Sequence, residues 1–272
     1  MLTRTAQQRG IFKKKASIAT DANAQAFFDA IVAAGGTPLT TAEKTAWNAC
    51  IVGLKGDASN VWARLFRLGW FGNSSLIASK IDVVNPAKVW SMATVGGVTP
   101  WVAYQGYTGD VANLAYVSSI DNIAFNGPDD GSGGGIINQT NGSANTAFAE
   151  FGSVSTEIRC THGTGTASTT GLLNGSSGTS SYSGDADRNG YSCVSRTTAG
   201  TINFLRNSTF KTGSSSGSAL TSSPMYALRR GSAYSPDRAL CAFWGYGLTT
   251  TQMAALRDRL NTLAGALGCP LS

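Results

Sequence analysis

The chain has 272 residues, of which 42% are apolar, enough to bury a full core without a disulfide or metal to hold it. Charged residues are only 13% and glycines number 33, while 6 Trp, 8 Tyr and 11 Phe exclude a disordered chain. The single histidine, His162, excludes a His-rich metal site, a His–His proton relay and a two-histidine facial triad, and no apolar run approaches the ~18 residues of a membrane-spanning helix.

Residues 1–20 form a basic arm. Arg4, Arg9, Lys13, Lys14 and Lys15 all precede the first acid, Asp21, and the rest of the chain is close to neutral. Such a block of like charge reads as a docking tail for an acidic partner surface. Nucleic acid is the weaker reading, because the body has no second basic stripe and no groove that interleaves basic and aromatic residues. No apolar region forms between Lys13 and Asp21, so no secretory signal is expected. An intracellular protein, or one released by another route, is the corresponding expectation.

The spacing predicts a helical module over 21–69. Phe27, Phe28, Ile31 and Val32 recur at helical intervals between an N-cap at Asp21 and a stop at Gly35-Gly36. Thr40 and Glu43 form a capping box for a second helix, which carries Trp47, Cys50, Ile51 and Leu54 and ends at Gly56. A third short helix is predicted from Asp57 or Ser59, with Val61, Trp62, Leu65 and Phe66 on one face.

From residue 70 to 272 the texture is that of strands. Runs at 88–92, 101–104, 112–117, 146–151, 155–160, 190–196, 200–206, 223–229 and 238–244 are short, and many are separated by turn residues, as in a sandwich or barrel. Two stretches, 128–135 and 161–184, are so rich in Gly, Ser and Thr that they read as surface loops or edge strands. A last helix is predicted over 249–267, with a capping box at Thr249 and Gln252 and a stop at Gly268 and Pro270. Its Met253, Leu256, Leu260, Leu263 and Leu267 either pack on the chain's own core or form a seam across a trimer axis.

Catalytic and metal motifs are weak. Gly213-Ser214-Ser215-Ser216-Gly217 matches a nucleophile elbow but lacks the following helix and a downstream histidine. Asp185-Ala186-Asp187-Arg188-Asn189-Gly190 begins like a calcium loop, yet Arg196 stands where the bidentate Glu belongs. The five cysteines show no zinc spacing; Cys50 and Cys241 read as buried thiols and Cys269 as the candidate for an interchain bond. Glu150 and Glu157 are the only glutamates of the strand region, too few for paired-carboxylate hydrolysis to be expected. No enzyme activity, cofactor or metal is therefore expected. Among the aromatics, Trp90 and Trp244 read as core, and Tyr104 and Tyr107 as candidate contacts to a glycan.

Two segments carry a family resemblance. The first runs Phe27-Phe28-Asp29-Ala30-Ile31, Leu39-Thr40-Thr41-Ala42-Glu43, Val52-Gly53-Leu54-Lys55 and Trp62. The second runs Ile202 to Asn207, Tyr234-Ser235-Pro236-Asp237-Arg238 and Phe243 to Thr249 with the final helix. Together they resemble tailed-bacteriophage virion proteins with a concanavalin-like lectin/glucanase sandwich. The family's late strand ends in Asn-Gly, where this chain has Asn207-Ser208. The resemblance implies a mainly β protein: an antiparallel jelly-roll sandwich preceded by a small helical module and ending in a helix. It also implies a virion location, in a tail, collar or head appendage. The expected function is a structural virion component, anchored to other virion proteins by the basic arm and assembled as a homo-oligomer, with a trimer favoured. A receptor module that binds host-surface glycan through the loops at 126–147 and 161–184 is the alternative, and a polysaccharide hydrolase the second alternative. No membrane partner is expected.

Overall fold

The structure, a computed structural model, describes residues 19–56, 60–94, 99–110, 114–122, 130–139, 148–153, 158–162, 168–173, 179–183, 189–215, 224–230 and 233–271; between 148 and 183 only the backbone is described. The chain begins with α1 (Ala22–Ala33), α2 (Thr41–Gly56), a 3-10 turn (Val61–Arg64), β1 (Leu65–Trp70) and a short α3 (Leu76–Lys80). There follow β2 (Ser91–Met92), β3 (Trp101–Val102), β4 (Gly106–Thr108), β5 (Val117–Ser118), β6 (Gly131–Gln139), β7 (Phe148–Ser153), β8 (Ile158–His162), β9 (Ser168–Leu173) and β10 (Thr179–Ser183). Then come β11 (Gly190–Thr198), β12 (Gly200–Arg206), β13 (Thr209–Ser215), β14 (Met225–Ala227), β15 (Arg229–Arg230), β16 (Ala233–Tyr234), β17 (Arg238–Gly245) and α4 (Thr250–Leu267).

The two predicted N-terminal helices form because their ends are satisfied locally. Asp21 Oδ1 accepts the Asn23 N–H at 2.9 Å and pairs with Lys55 at 2.7 Å, tying the start of α1 to the end of α2. Glu43 accepts the Thr40 N–H at 2.7 Å while its own N–H reaches Thr40 Oγ1 at 3.3 Å, closing the capping box. The third predicted helix is not formed. Val61 to Arg64 make one 3-10 turn, and Leu65 onward is strand β1, paired antiparallel with β17. Val61, Leu65 and Leu68 are buried together with Trp70 in one core while Phe66 packs against a second, so the apolar spacing that suggested a helix serves a turn and then a strand with a core on either face.

The strands build a β-sandwich of antiparallel sheets. Among the described residues one sheet runs β13-β12-β11-β6-β17-β4-β3, with β1 also on β17, and the other β10-β9-β8-β7-β14-β5-β2. Between them lies one core, with Trp90, Tyr107, Val194, Phe204, Met225 and Trp244 buried. The opposite face of the first sheet carries Ile136, Cys193, Leu205 and Phe243 and is covered by helices, giving a second core with Phe27, Trp47 and α4. Alternation along β17 sends Ala242 and Trp244 to the inter-sheet core and Cys241 and Phe243 to the helical one.

Helix α4 has both predicted ends: Thr249 and Gln252 cap it reciprocally, and Gly268 adopts φ 73° at its close. Its stripe Met253, Leu256, Leu260, Leu263 and Leu267 is buried against the chain's own core. The seam expected for a trimer is thus occupied internally.

The glycine-rich stretch 128–135 departs most from expectation. Gly131–Gln139 is a central strand, not a loop, with Gly131 to Asn138 buried between β11 and β17. A Cβ on Gly134 would lie 2.0 Å from the Ser192 carbonyl oxygen, so the sheet closes there only over a residue without a side chain. The loop at 126–147 expected as a glycan contact is therefore strand over 131–139, and apart from Asp130 the rest of it lies outside the described residues. The stretch 161–184 supplies the end of β8, then β9 and the edge strand β10. Among the described residues no helix is long and apolar enough to cross a membrane.

Candidate functional site

The candidate residues read from the sequence separate in space. The five basic arm residues Arg4, Arg9, Lys13, Lys14 and Lys15 lie outside the described residues, as do Glu157 and Asp185 to Arg188. Glu150 is placed on β7. Tyr107 is fully buried in the inter-sheet core and donates its hydroxyl to the Ala93 carbonyl, so it cannot meet a glycan. Tyr104 sits in the β3–β4 turn at φ 60°, packs on the helical core, and donates to Glu43 Oε1 at 3.3 Å. Burial and the Glu43 carboxylate both push its phenol up. That geometry makes Tyr104 a clasp between the turn and α2.

Gly213 to Ser215 belong to edge strand β13. Cys269 is buried, donates to the Gly72 carbonyl at 3.4 Å, and burial pushes its thiol up to about 12. It is neither exposed nor activated for the interchain bond expected of it. Cys50 and Cys241 are buried, as expected.

A different cluster stands on the outer face of the second sheet. In β14, Met225 and Ala227 point into the core, which turns Tyr226 outward. In the segment leading into β5, Ala115 and Val117 point inward, which turns Tyr116 outward beside it. Their rings meet edge to face at 5.6 Å. Tyr234 of β16 lies 5.9 Å from Tyr116. Arg229, paired in register with Tyr234, places its guanidinium carbon 4.4 Å from the centre of the Tyr116 ring, 4.7 Å from Tyr226 and 5.4 Å from Tyr234. Leu228 makes this arrangement by adopting φ 64°, which breaks the β14 register and swings Arg229 back over the rings. Ser118 and Ser91 continue the same face across the sheet, in register with Tyr226 and with each other.

The cluster offers half-buried aromatic surface, phenolic hydroxyls and, beyond the buried Ser118, the exposed hydroxyl of Ser91. That combination binds saccharides: ring C–H groups stack on aromatic faces, and hydroxyls find partners that both donate and accept. Tyr116 and Tyr226 fall inside predicted strands, and the alternation Ala115-Tyr116-Val117 and Met225-Tyr226-Ala227 already marks both as outward. The role of Arg229 depends on the Leu228 turn and has no sequence signal.

A second polar group supports the edge of the first sheet. Asp82 accepts the Leu68 N–H at 3.2 Å and the Trp90 indole N–H at 3.0 Å on one oxygen, and the Val84 and Asn85 N–H groups at 3.0 and 2.8 Å on the other. It thereby occupies a backbone donor that β1 would otherwise leave open. Burial pushes its carboxyl up to about 7, with these donors and Arg67 pulling the other way. Arg67 and Lys88 share Asp121.

No protein-family model matches the chain, and no curated protein matches it significantly. Solved structures with a similar fold include domain 4 of AbnA, a GH43 extracellular arabinanase from Geobacillus stearothermophilus in complex with arabinotriose. It is 12% identical, with a TM-score of 0.47, over 72% of this chain and 98% of that one. Others are the botulinum neurotoxin type G receptor binding domain, 10% identical at a TM-score of 0.38 over 73% of this chain and 51% of that one, and the binding domain of botulinum neurotoxin DC in complex with SialylT, 10% identical at 0.43 over 76% and 52%. The chain thus spans about half the length of the toxin domains. At these scores the likeness carries nothing about ligand or activity.

Proposed function

We propose that this chain is a saccharide-binding receptor module of a bacteriophage virion appendage. The observation that carries the binding half of this reading is the tyrosine cluster ordered by Arg229 on the outer face of the second sheet. Because the guanidinium already fixes the rings, a ligand loses little freedom of the site on binding. The virion half rests on the sequence resemblance and on the segregated charge of residues 1–20, which in this reading dock on other virion proteins. Binding occurs without turnover.

A glycan array and whole host-surface polysaccharide test the reading. The full chain binds a defined subset of glycans, and Tyr226→Ala and Tyr116→Ala each lose that binding while remaining folded. Retention of binding in both variants, or release of reducing ends by the wild-type protein, overturns it. A purely structural virion component is the second reading, favoured by the basic arm. It predicts no glycan binding at all, and incorporation into particles that is lost on deletion of residues 1–20. Oligomeric display in either case uses a surface other than the α4 stripe.

A further inference from the structure

At the start of β17, among the described residues, a guanidinium is held between two neutral partners. Arg238 Nε donates to Thr108 Oγ1 at 2.8 Å and Nη1 donates to Gln105 Oε1 at 2.6 Å. Among the described residues no carboxylate pairs with it, and its second terminal nitrogen, Nη2, and the Gln105 amide nitrogen find no acceptor there. Thr108, Arg238 and Gln139 stand in register across β4, β17 and β6, and Gln105 lies over them in the β3–β4 turn. The register of β6 against β17 slips beside this row, so Asn138 is the extra residue of a bulge. Its amide nitrogen donates to the Gln105 carbonyl at 2.7 Å and pins the turn that carries Gln105. Gln105 and Gln139 are exposed, and Arg238 is partly covered; desolvation pulls its pKa down.

A partly desolvated cation without a counter-ion costs free energy that an anion recovers. This one is also held in position from two sides, so its outward N–H groups are pre-aimed. Two neighbouring N–H donors in one plane fit the two oxygens of a carboxylate. The flanking groups are primary amides and a hydroxyl, which donate and accept as sugar hydroxyls do. We propose that Arg238 and Gln105, flanked by Thr108 and Gln139, form a subsite for the carboxylate of an acidic saccharide. It stands on a different sheet from the tyrosine cluster and does not depend on it.

Titration of the nitrogen-15-labelled full chain with glucuronate, following the arginine Nε–H and side-chain amide signals, tests this. Glucuronate shifts the Arg238 and Gln105 signals saturably, and glucose leaves them in place. Acetate and sulfate, which lack ring hydroxyls, bind about tenfold more weakly, the loss of one or two hydrogen bonds. Gln105→Glu places a carboxylate on Arg238 from within the chain. The variant keeps the wild-type thermal midpoint or raises it, and no longer responds to glucuronate. Arg238→Gln also loses the response, and Tyr226→Ala keeps it. No saturable shift with glucuronate, an equal affinity for acetate or sulfate, or a response that survives in both Gln105→Glu and Arg238→Gln overturns the proposal. None of these outcomes bears on the tyrosine cluster.

Discussion

Arg229 and Tyr116 meet with the guanidinium carbon 4.4 Å from the ring centre, and the same guanidinium also lies against Tyr226 and Tyr234. One side chain therefore sets the orientation of three rings drawn from separate segments. Each cation–π contact at a partly exposed site is worth about 0.5–1 kcal/mol.

Replacing Arg229 by Met keeps the bulk and removes the charge. The expected outcome is a loss of about 1–2 kcal/mol in unfolding free energy by urea titration, together with weaker glycan binding because the rings lose their fixed arrangement. Glycan binding at wild-type strength in this variant would show that the rings are ordered without Arg229.

Asp82→Ala removes four acceptor contacts at once and leaves the Leu68 N–H and the Trp90 indole N–H buried. Each buried donor left without a partner costs about 1–3 kcal/mol, so a loss of about 3–5 kcal/mol is expected in urea unfolding. A cost below about 1 kcal/mol would mean that β1 and the segment after it are held by other contacts.

The same residue gives a pH dependence of definite sign. Burial raises the Asp82 carboxyl from 3.8 in its ordinary state to about 7 in the fold. Between these values the native state binds a proton that the unfolded chain does not. The contribution of Asp82 is therefore fully present below pH 3.8 and is lost as pH rises through 7. Asp82→Asn, which cannot ionise, removes this slope. Unfolding titrations of both proteins across the window, compared as a difference, isolate it from Asp21 and Glu43, whose lowered pKa values act in the opposite sense.

Gly134→Ala places a methyl carbon 2.0 Å from the Ser192 carbonyl oxygen. Backbone on a neighbouring strand cannot give way as a flexible side chain can, so the loss is expected to exceed about 3 kcal/mol and to appear as insoluble expression or a much lower thermal midpoint. Gly265→Ala, where an added Cβ meets nothing within 4 Å, is the control and should be neutral to stabilising.

Leu260→Ala truncates a side chain that is fully buried in the helical core. A loss of about 2–5 kcal/mol is expected, with no change in sedimentation, because the stripe packs on the same chain. A change of oligomeric state on this substitution would return the stripe to an intermolecular role.

The helices were legible because their signals are local. Thr40 with Glu43, and Thr249 with Gln252, satisfy one another's backbone groups whatever lies around them. Most predicted strands of the second half also fall where expected. What the sequence hides is relational. Val61, Trp62, Leu65 and Phe66 have helical spacing, yet Leu65 pairs with Gly245 across 180 positions of chain, and only that partner makes it strand. Tyr107, set between Gly106 and Thr108, has no apolar alternation to place it, and only the fold turns it toward the other sheet. Glycines 133–135 look like a linker, and the reason Gly134 has no side chain, the Ser192 carbonyl, sits on another strand. In the candidate site, outward Tyr116 and Tyr226 could be read from alternation, whereas Arg229 reaches them only through the positive φ of Leu228.

The buried glycine strand has a practical consequence for anyone who engineers this protein. By composition, residues 131–135 are the natural place to insert a tag, split the chain into halves or open a new terminus. In the fold they are the strand that β11 and β17 both pair with, so a cut there would part the first sheet down its middle. The β12–β13 hairpin tip at Asn207-Ser208 is the opposite case: both residues are exposed, and the strands on either side are already paired with each other. Inserted peptides belong at that tip, where they would extend a turn and leave the pairing of the sheet intact.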